Sequence, residues 1–300
     1  ASGVAHPCAG RTLSAMPKPF RWTIAKHEQL GSLAGPLPQP PDAAFLTELR
    51  ETAARVLAFA DGADLAFIGR TPENFYDYLS GAFEGWVDAP SLHHVQFSLR
   101  WVRPDNKTSL APDNIAALGD YFDEEGVEPA SIAKNARPLA LVDLIADGGT
   151  MENLVRILHT IAKNRGVDWN AVQRRLRIVG LVTRTKNSPN AWRWQQHQDW
   201  LDLIPDAQIK NVSASWPFLR HIGDYQEKVT HPFHAGRWQE GETGAPETTA
   251  EQRAAIALAA HLYALGRTRE ERRALAASLA RLPEMRNPAT RALVLALRGG

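Results

Sequence analysis

A chain of 300 residues with 44% hydrophobic and 22% charged side chains has the composition of a folded globular protein, which excludes a disordered or a collagen-like chain. The net charge of +1 gives no reason to expect nucleic acid or a membrane surface as a partner. The charge is uneven, because residues 1–150 carry 12 basic and 19 acidic side chains, whereas residues 151–230 carry 12 and 7.

The single cysteine, Cys8, excludes an intramolecular disulfide and a multi-cysteine zinc site. No stretch of the sequence approaches the roughly 18 uninterrupted apolar residues of a membrane helix. The N-terminal residues lack the apolar core of a signal peptide. We therefore expect a cytoplasmic protein.

Residues 1–42 are rich in proline and lack a periodic pattern, which predicts an extended arm that lies on the domain or is partly disordered. A helix is predicted after Asp42, and short apolar runs then alternate with helical patterns. The predicted strands cover residues 64–68, 94–102, 139–144, 177–183 and 209–213, and the predicted helices cover residues 72–79, 113–122, 151–164 and 168–175. This alternation predicts an α/β domain over residues 43–238, with a largely parallel sheet flanked by helices in a Rossmann-like three-layer arrangement.

Residues 239–300 begin as a polar linker and then become rich in Ala, Leu and Arg, which predicts a helical C-terminal appendage. Thr249 and Thr268 are candidate N-caps, and Gly266 is a candidate helix stop. The apolar faces of these helices must pack on the core or on another subunit, so a homodimer is one of the two outcomes.

The segment with the most chemical information runs from the predicted strand 139–144 into the predicted helix 151–164. The strand delivers Asp143 to the sheet edge, and the sequence Asp147-Gly148-Gly149-Thr150 then forms a turn in which Thr150 is predicted to cap the helix. Backbone N–H groups in such a turn face outward with the positive end of the helix dipole, which suits a phosphate. The alternative is an ordinary strand-to-helix turn.

This segment resembles the signature loop of type I phosphoribosyltransferases, in which a strand ends in one or two acidic residues and leads into a short Gly/Thr-rich turn and a helix. The resemblance implies that Asp143 faces the ribose hydroxyls of phosphoribosyl pyrophosphate and that the turn from Asp147 to Thr150 wraps its 5′-phosphate. Two positions depart from the family pattern. Val142 replaces the first acidic residue, and Asp147 stands where the family usually has a hydroxyl.

A second strand–loop–helix unit, Gly69-Arg70-Thr71-Pro72, lies upstream, where the family places its pyrophosphate loop. The resemblance implies that Arg70 neutralises the pyrophosphate and that N–H groups of Gly69 and Thr71 help to bind it. Lys107 lies in the loop that corresponds to the flexible lid of the family, and it is a candidate for stabilising the leaving group. Taken alone, the upstream unit is also compatible with a plain loop.

A third unusual region, rich in tryptophan and glutamine, follows the predicted strand 177–183. Trp192 and Trp194 are candidates for stacking on an acceptor molecule, and Gln195 is a candidate for hydrogen bonding to it. The alternative is that Trp200, together with Leu201 and Ile204, belongs to the core.

The resemblance as a whole implies transfer of a 5-phosphoribosyl group from phosphoribosyl pyrophosphate to an acceptor, with release of pyrophosphate. It implies Mg²⁺ held chiefly by substrate oxygens rather than by the protein. Asp143, Arg70 and Lys107 are then the candidate catalytic residues. Two alternatives stay open: a non-catalytic ligand-sensing protein on the same fold, and a helical-tailed interaction protein whose glycine turns are purely structural. The sequence does not identify the acceptor.

Overall fold

The computed structural model describes residues 20–25, 30, 33, 35–98, 112–184, 194–198, 200–231 and 248–299. Within these residues, five strands form one sheet in the order β2-β1-β3-β4-β5, and every neighbouring pair is parallel. The strands are β1 Asp64–Ile68, β2 Leu92–Val95, β3 Leu139–Leu144, β4 Leu176–Thr183 and β5 Ile209–Ala214. The predicted α/β class with a parallel sheet is therefore confirmed.

Four of the five predicted strands agree with the structure to within one residue at each end, but the second strand does not. It was expected over residues 94–102, whereas β2 ends at Val95. The reason is that β1, on which β2 pairs, ends at Ile68, the partner of Val95, and Gly69 then turns the chain with a φ of +73°.

Helices cover both faces of the sheet. Each strand alternates between two cores, so that in β3 Val142 packs on one face and Leu141 on the other. On the Val142 face lie α1 Ala43–Ala60, α2 Glu73–Ala82 and α7 Trp216–Arg220, and on the Leu141 face lie α3 Pro112–Glu124, α4 Pro129–Lys134, α5 Gly149–Asn164 and α6 Trp169–Gln173. This is the three-layer arrangement that the sequence predicts.

Three further helices form an outer layer over α1 and α2: α8 Ala250–Arg267, α9 Arg269–Ala280 and α10 Pro288–Gly299. Thr249 caps α8 in a reciprocal capping box with Gln252, and the Thr268 hydroxyl accepts the N–H of Glu271 at the start of α9. Both predicted N-caps are thus confirmed. None of the helices among the described residues is long and apolar enough to cross a bilayer.

Gly266 was expected to stop α8, and that prediction is wrong. The helix continues to Arg267, and the lack of a side chain at Gly266 serves close packing against α2. A Cβ on Gly266 would collide with the carbonyl oxygen of Tyr78, and one on Gly81 of α2 would collide with the carbonyl oxygen of Tyr263. The two glycines therefore allow the helix backbones to approach each other directly.

A buried polar network also fixes the C-terminal helices to the core. Glu271 of α9 is 8% exposed, and its Oε1 accepts both the Nε of Arg50 and the hydroxyl of Tyr78 at 2.8 Å. The apolar side chains Leu275 and Leu279 of α9 are fully buried in the same core as α1. These apolar side chains pack on the domain itself, which is one of the two outcomes that the sequence allows, and the possible homodimer stays a prediction.

Candidate functional site

The two strands that carry the predicted phosphate turns, β1 and β3, are direct neighbours in the sheet. The chain leaves β1 toward β2 on one side, while β3 lies on the other side, so the strand order reverses between β1 and β3. In open α/β sheets ligands bind beyond the carboxyl ends of the strands at such a switch point. Phe67 pairs with Val142 in the register, so both turns begin at the same edge of the sheet.

The first turn begins at Gly69, where the chain requires glycine. Gly69 has a φ of +73°, and a Cβ there would lie 2.9 Å from the carbonyl oxygen of Phe97. Its own N–H donates to the carbonyl of Val95 at 2.8 Å and its carbonyl accepts the ring Nε2 of His94 at 2.9 Å. Both the N–H and the carbonyl of Gly69 are therefore hydrogen-bonded to residues of β2.

Arg70 and Thr71 follow, both half-buried. Nη1 of Arg70 donates to the carbonyl of Thr230 at 3.4 Å, and this is the one hydrogen bond of its guanidinium to the described residues. Pro72, expected as the first helical residue, is the residue just before α2, which begins at Glu73. The remaining N–H donors of the Arg70 guanidinium are thus unengaged by the described residues and suit an anion.

Behind this turn lies a cluster of buried charged side chains. The guanidinium of Arg21, from the N-terminal arm, donates to both carboxylate oxygens of Asp77 at 2.7 and 2.9 Å and lies 5.0 Å from the ring centroid of Tyr76. The ammonium of Lys228 is buried and donates to the carbonyl of Ile222 at 2.5 Å. The arm that the sequence predicts as extended is therefore docked on the domain through an ion pair in residues 20–25.

Burial controls the protonation of this cluster. It raises the pKa of Asp77 to about 6 despite the attraction of Arg21, and it lowers the pKa of Lys228 to about 8 despite the attraction of Glu73. Burial also holds the pKa of His94 well below its ordinary value, with the positive charge of Arg21 acting in the same direction. Because Nε2 of the neutral ring donates to Gly69, its Nδ1 carries no proton, and that atom has no hydrogen-bond partner in the described part of the chain.

No prediction from the sequence places Asp77, Lys228 or Arg21 beside the first turn. One signal was present for Asp77: Glu73 and Asp77 are spaced four residues apart on a predicted helix, which places them on the same face. No comparable signal exists for Arg21 or Lys228, because they reach the cluster from distant parts of the chain.

Asp143 lies at the end of β3, as predicted, and is 7% exposed. Its Oδ1 accepts the N–H of Leu144 at 2.7 Å. In the register it lies beside Gly180 of β4, which in turn lies beside Asn211 of β5. The absence of a side chain at Gly180 leaves space that Ile145 and Asn211 fill, since a Cβ there would meet them at 2.9 and 3.1 Å. Val142 is fully buried and faces the opposite core.

The second turn places Gly148, not Thr150, at the N-cap of α5. Gly148 adopts a φ of +92°, and the 16-residue helix begins at Gly149. Thr150 is the second helical residue and half-buried, so its predicted role as the cap is wrong. The left-handed conformation that ends the strand-to-helix turn is available to glycine at little cost, and Gly148 therefore takes the cap position.

Asp147 is exposed, and its Oδ1 accepts the N–H of Gly149 at 3.2 Å. Its carbonyl accepts Nε2 of Gln198 at 2.7 Å. The carboxylate therefore already accepts a hydrogen bond from one of the N–H groups that a phosphate at this turn needs. A phosphate that binds here must displace the side chain of Asp147 or share its neighbourhood with a cation.

Trp194 forms a wall of the second turn. A Cβ on Gly148 would lie 3.0 Å from Cε3 of its indole, which stacks on Trp200 with a centroid distance of 5.9 Å. The indole is 2% exposed, and its Nε1 donates to Oδ1 of Asn211 at 2.9 Å. Trp194 therefore lies in the core instead of stacking on an acceptor. Trp200 is also buried, as the alternative for that residue predicts.

Gln195 is half-buried, and its Oε1 accepts Nδ2 of Asn211 at 3.2 Å, so it helps to hold the same wall. Its predicted contact with an acceptor stays a prediction. Lys107 and Trp192 lie outside the described residues. Within the described ranges, no group of three or more His, Cys, Asp or Glu side chains could hold a metal ion.

No family model matches this chain, and no curated protein or solved structure matches it.

Proposed function

We propose that the protein is a phosphoribosyltransferase that binds phosphoribosyl pyrophosphate at the carboxyl ends of β1 and β3. The observation that carries the proposal is the pairing of β1 with β3 in the sheet. The two turns that resemble the family's pyrophosphate and 5′-phosphate loops come from distant parts of the sequence, and this pairing brings them to one edge. Two phosphate-binding turns on adjacent strands match a substrate that carries a phosphate at each end.

Each turn suits its part of the substrate for a different physical reason. Arg70 supplies a guanidinium for the pyrophosphate, while the turn from Asp147 to Thr150 supplies backbone N–H groups at the start of a 16-residue helix for the 5′-phosphate. Asp143 lies at the end of the strand that carries this second turn, where it can accept hydrogen bonds from the ribose hydroxyls. Its negative charge also stabilises the positive charge that develops on the ribose as pyrophosphate departs.

Magnesium fits this arrangement as an ion brought by the substrate. The carboxylates of Asp143 and Asp147 lie near the phosphate positions, while the described residues form no cage for a metal. When bound, Mg²⁺ neutralises the pyrophosphate. The protein's part is to orient the two phosphate ends, so that an acceptor attacks the anomeric carbon and the bond to pyrophosphate breaks.

Calorimetric titration of the full chain with phosphoribosyl pyrophosphate and Mg²⁺ tests the proposal. We expect binding that weakens at least about tenfold in Arg70→Ala and in Asp143→Asn, with unchanged circular dichroism. Arg298→Ala, in the exposed last turn of α10, is the matched control and should bind like the wild type. Absence of binding by the wild type would overturn the proposal.

A non-catalytic ligand-sensing protein on the same fold is the second candidate. One observation favours it: Val142 points into the core, so β3 offers the edge a single carboxylate where the family can have two. Release of pyrophosphate with nucleobases, amines and aminocyclitols as acceptors separates the two candidates. Binding of phosphoribosyl pyrophosphate without turnover on any of these acceptors would favour the sensor.

A further inference from the structure

Glu73, the first residue of α2, makes an unusual set of contacts for a side chain in the first turn of a helix. It is 2% exposed, and its carboxylate accepts three hydrogen bonds from residues 229 and 230. Val229 N donates to Oε1 at 2.9 Å, and the N–H and hydroxyl of Thr230 donate to Oε2 at 3.4 and 3.0 Å. A buried carboxylate thus binds a chain segment that is more than 150 residues away in the sequence.

The same segment also contacts Arg70. While Thr230 donates to Glu73, its carbonyl accepts the guanidinium of Arg70 at 3.4 Å. Arg70 and Glu73 are themselves one turn apart, with the N–H of Glu73 donating to the carbonyl of Arg70 at 3.4 Å. Thr230 is therefore bound on its N–H and hydroxyl side by Glu73 and on its carbonyl side by Arg70.

The negative charge of Glu73 is balanced inside the fold rather than by solvent. The buried ammonium of Lys228 lies close enough that Glu73 is the largest attractive influence on it. Burying a carboxylate without partners would destabilise the fold. Three donors and a nearby ammonium offset that cost, and as a result residues 228–230 are held firmly against the first turn.

We propose that Glu73 is a positioning residue that acts through Thr230 to orient the guanidinium of Arg70 toward a pyrophosphate group. The inference rests on the proposed function, because it assigns pyrophosphate to the first turn. A long arginine side chain on a half-buried turn loses rotamer freedom when it is fixed on a ligand. The carbonyl of Thr230 fixes part of that side chain before the ligand arrives, which leaves a smaller entropic cost for binding.

The test measures two ligands that probe the two turns separately: pyrophosphate with Mg²⁺, and ribose 5-phosphate. Thr230→Val removes the hydroxyl donor while keeping the shape of the side chain. Thr230→Ser keeps the donor and is the matched control. Glu73→Gln replaces one carboxylate oxygen by an NH₂ group, which faces either the N–H of Val229 or the donors of Thr230 and cannot accept from them.

We expect pyrophosphate affinity to fall about threefold to tenfold in Thr230→Val and about tenfold or more in Glu73→Gln. Ribose 5-phosphate affinity should stay within about twofold of the wild type in both, and Thr230→Ser should restore pyrophosphate binding. Equal weakening of both ligands, or no change in either, would overturn the assignment and leave Glu73 as part of the core. Failure of the wild type to bind either ligand would instead count against the proposed function.

Discussion

The two turns at the carboxyl edge of the sheet have the same position in their strand–turn–helix units but different physical designs. The first turn, after β1, presents the guanidinium of Arg70 and is backed by buried charges that include the Arg21–Asp77 ion pair. The second turn, after β3, is built on Gly148 and backbone N–H groups, and the indole of Trp194 covers it. The first turn offers a full positive charge on a side chain, whereas the second offers backbone dipoles.

This difference has consequences for how each turn tolerates change. A guanidinium at an edge can be lost without collapse of the turn, but the ionic cluster behind it cannot lose one partner without leaving a buried charge. The second turn has no ionic support among its described contacts and depends on backbone geometry. We therefore expect substitutions near the first turn to act through charge, and substitutions near the second turn to act through backbone conformation.

The largest effect should come from Arg21→Met, which breaks the charge cluster behind the first turn. The carboxylate of Asp77 is 1% exposed and would lose both hydrogen bonds from Arg21. We expect the free energy of unfolding in urea to fall by about 3 kcal/mol. The double variant Arg21→Met/Asp77→Leu should recover part of the lost unfolding free energy, because it also removes the carboxylate that would be buried without a partner. A loss below about 1 kcal/mol in Arg21→Met would show that the ion pair is not needed.

Lys228 gives the cluster a pH dependence whose sign can be stated. Its pKa is lowered by burial from 10.5 to about 8, so between these values the unfolded chain binds more protons than the folded chain, and stability rises with pH. Between pH 8 and 10.5 we expect the wild type to gain up to about 3 kcal/mol of unfolding free energy relative to Lys228→Met. Denaturation of both proteins across this window measures the difference. A difference in unfolding free energy that stays constant across this pH range would contradict the buried ammonium. The control is Lys210→Met, which removes a lysine at an exposed position of β5.

Local sequence patterns predict much of the fold, because the strands β1, β3, β4 and β5 are short apolar runs bounded by turn residues. The alternation of these apolar runs with helical patterns predicts a largely parallel sheet, and the sequence also predicts Thr249 and Thr268 as caps. The neighbour relation of β1 and β3 was not readable from these patterns. It depends on which helices cover which face, and that is decided by packing across the whole chain.

The second turn shows where local rules compete. A threonine after two glycines is a good N-cap by its side-chain chemistry, and Thr150 was assigned on that basis. Gly148 takes the cap position because the turn from β3 needs a positive φ one residue before the helix, which outweighs the value of one side-chain hydrogen bond. The prediction for Trp194 is wrong for a related reason. A tryptophan among polar residues in the sequence suggests an exposed side chain, but the missing side chain of Gly148 leaves space for the indole to pack.

Gly148→Ala tests the dependence of the second turn on backbone geometry. Alanine is strained at a φ of +92°, and its Cβ would press on the Trp194 indole at 3.0 Å. We expect a loss of about 2 kcal/mol in unfolding free energy and weaker binding of ribose 5-phosphate. Gly149→Ala is the matched control, because Gly149 is helical and the nearest atom to a Cβ there is 3.7 Å away. Equal stability of the two variants would mean that Gly148 is not the conformational requirement of the turn.

The smallest expected effect comes from substitution of Asp147. This substitution tests whether the second turn binds phosphate through backbone dipoles alone or also through charge. Its carboxylate accepts the N–H of Gly149 and places a negative charge where we propose that the 5′-phosphate binds. Asp147→Ser keeps an oxygen that can accept this N–H but removes the charge, so ribose 5-phosphate should bind about threefold to tenfold more tightly. Asp147→Asn keeps the size of the side chain and should give a similar gain, which separates charge from shape. If both variants bind ribose 5-phosphate less tightly than the wild type, the carboxylate serves the ligand through a bound cation, and the second turn resembles the first in using charge.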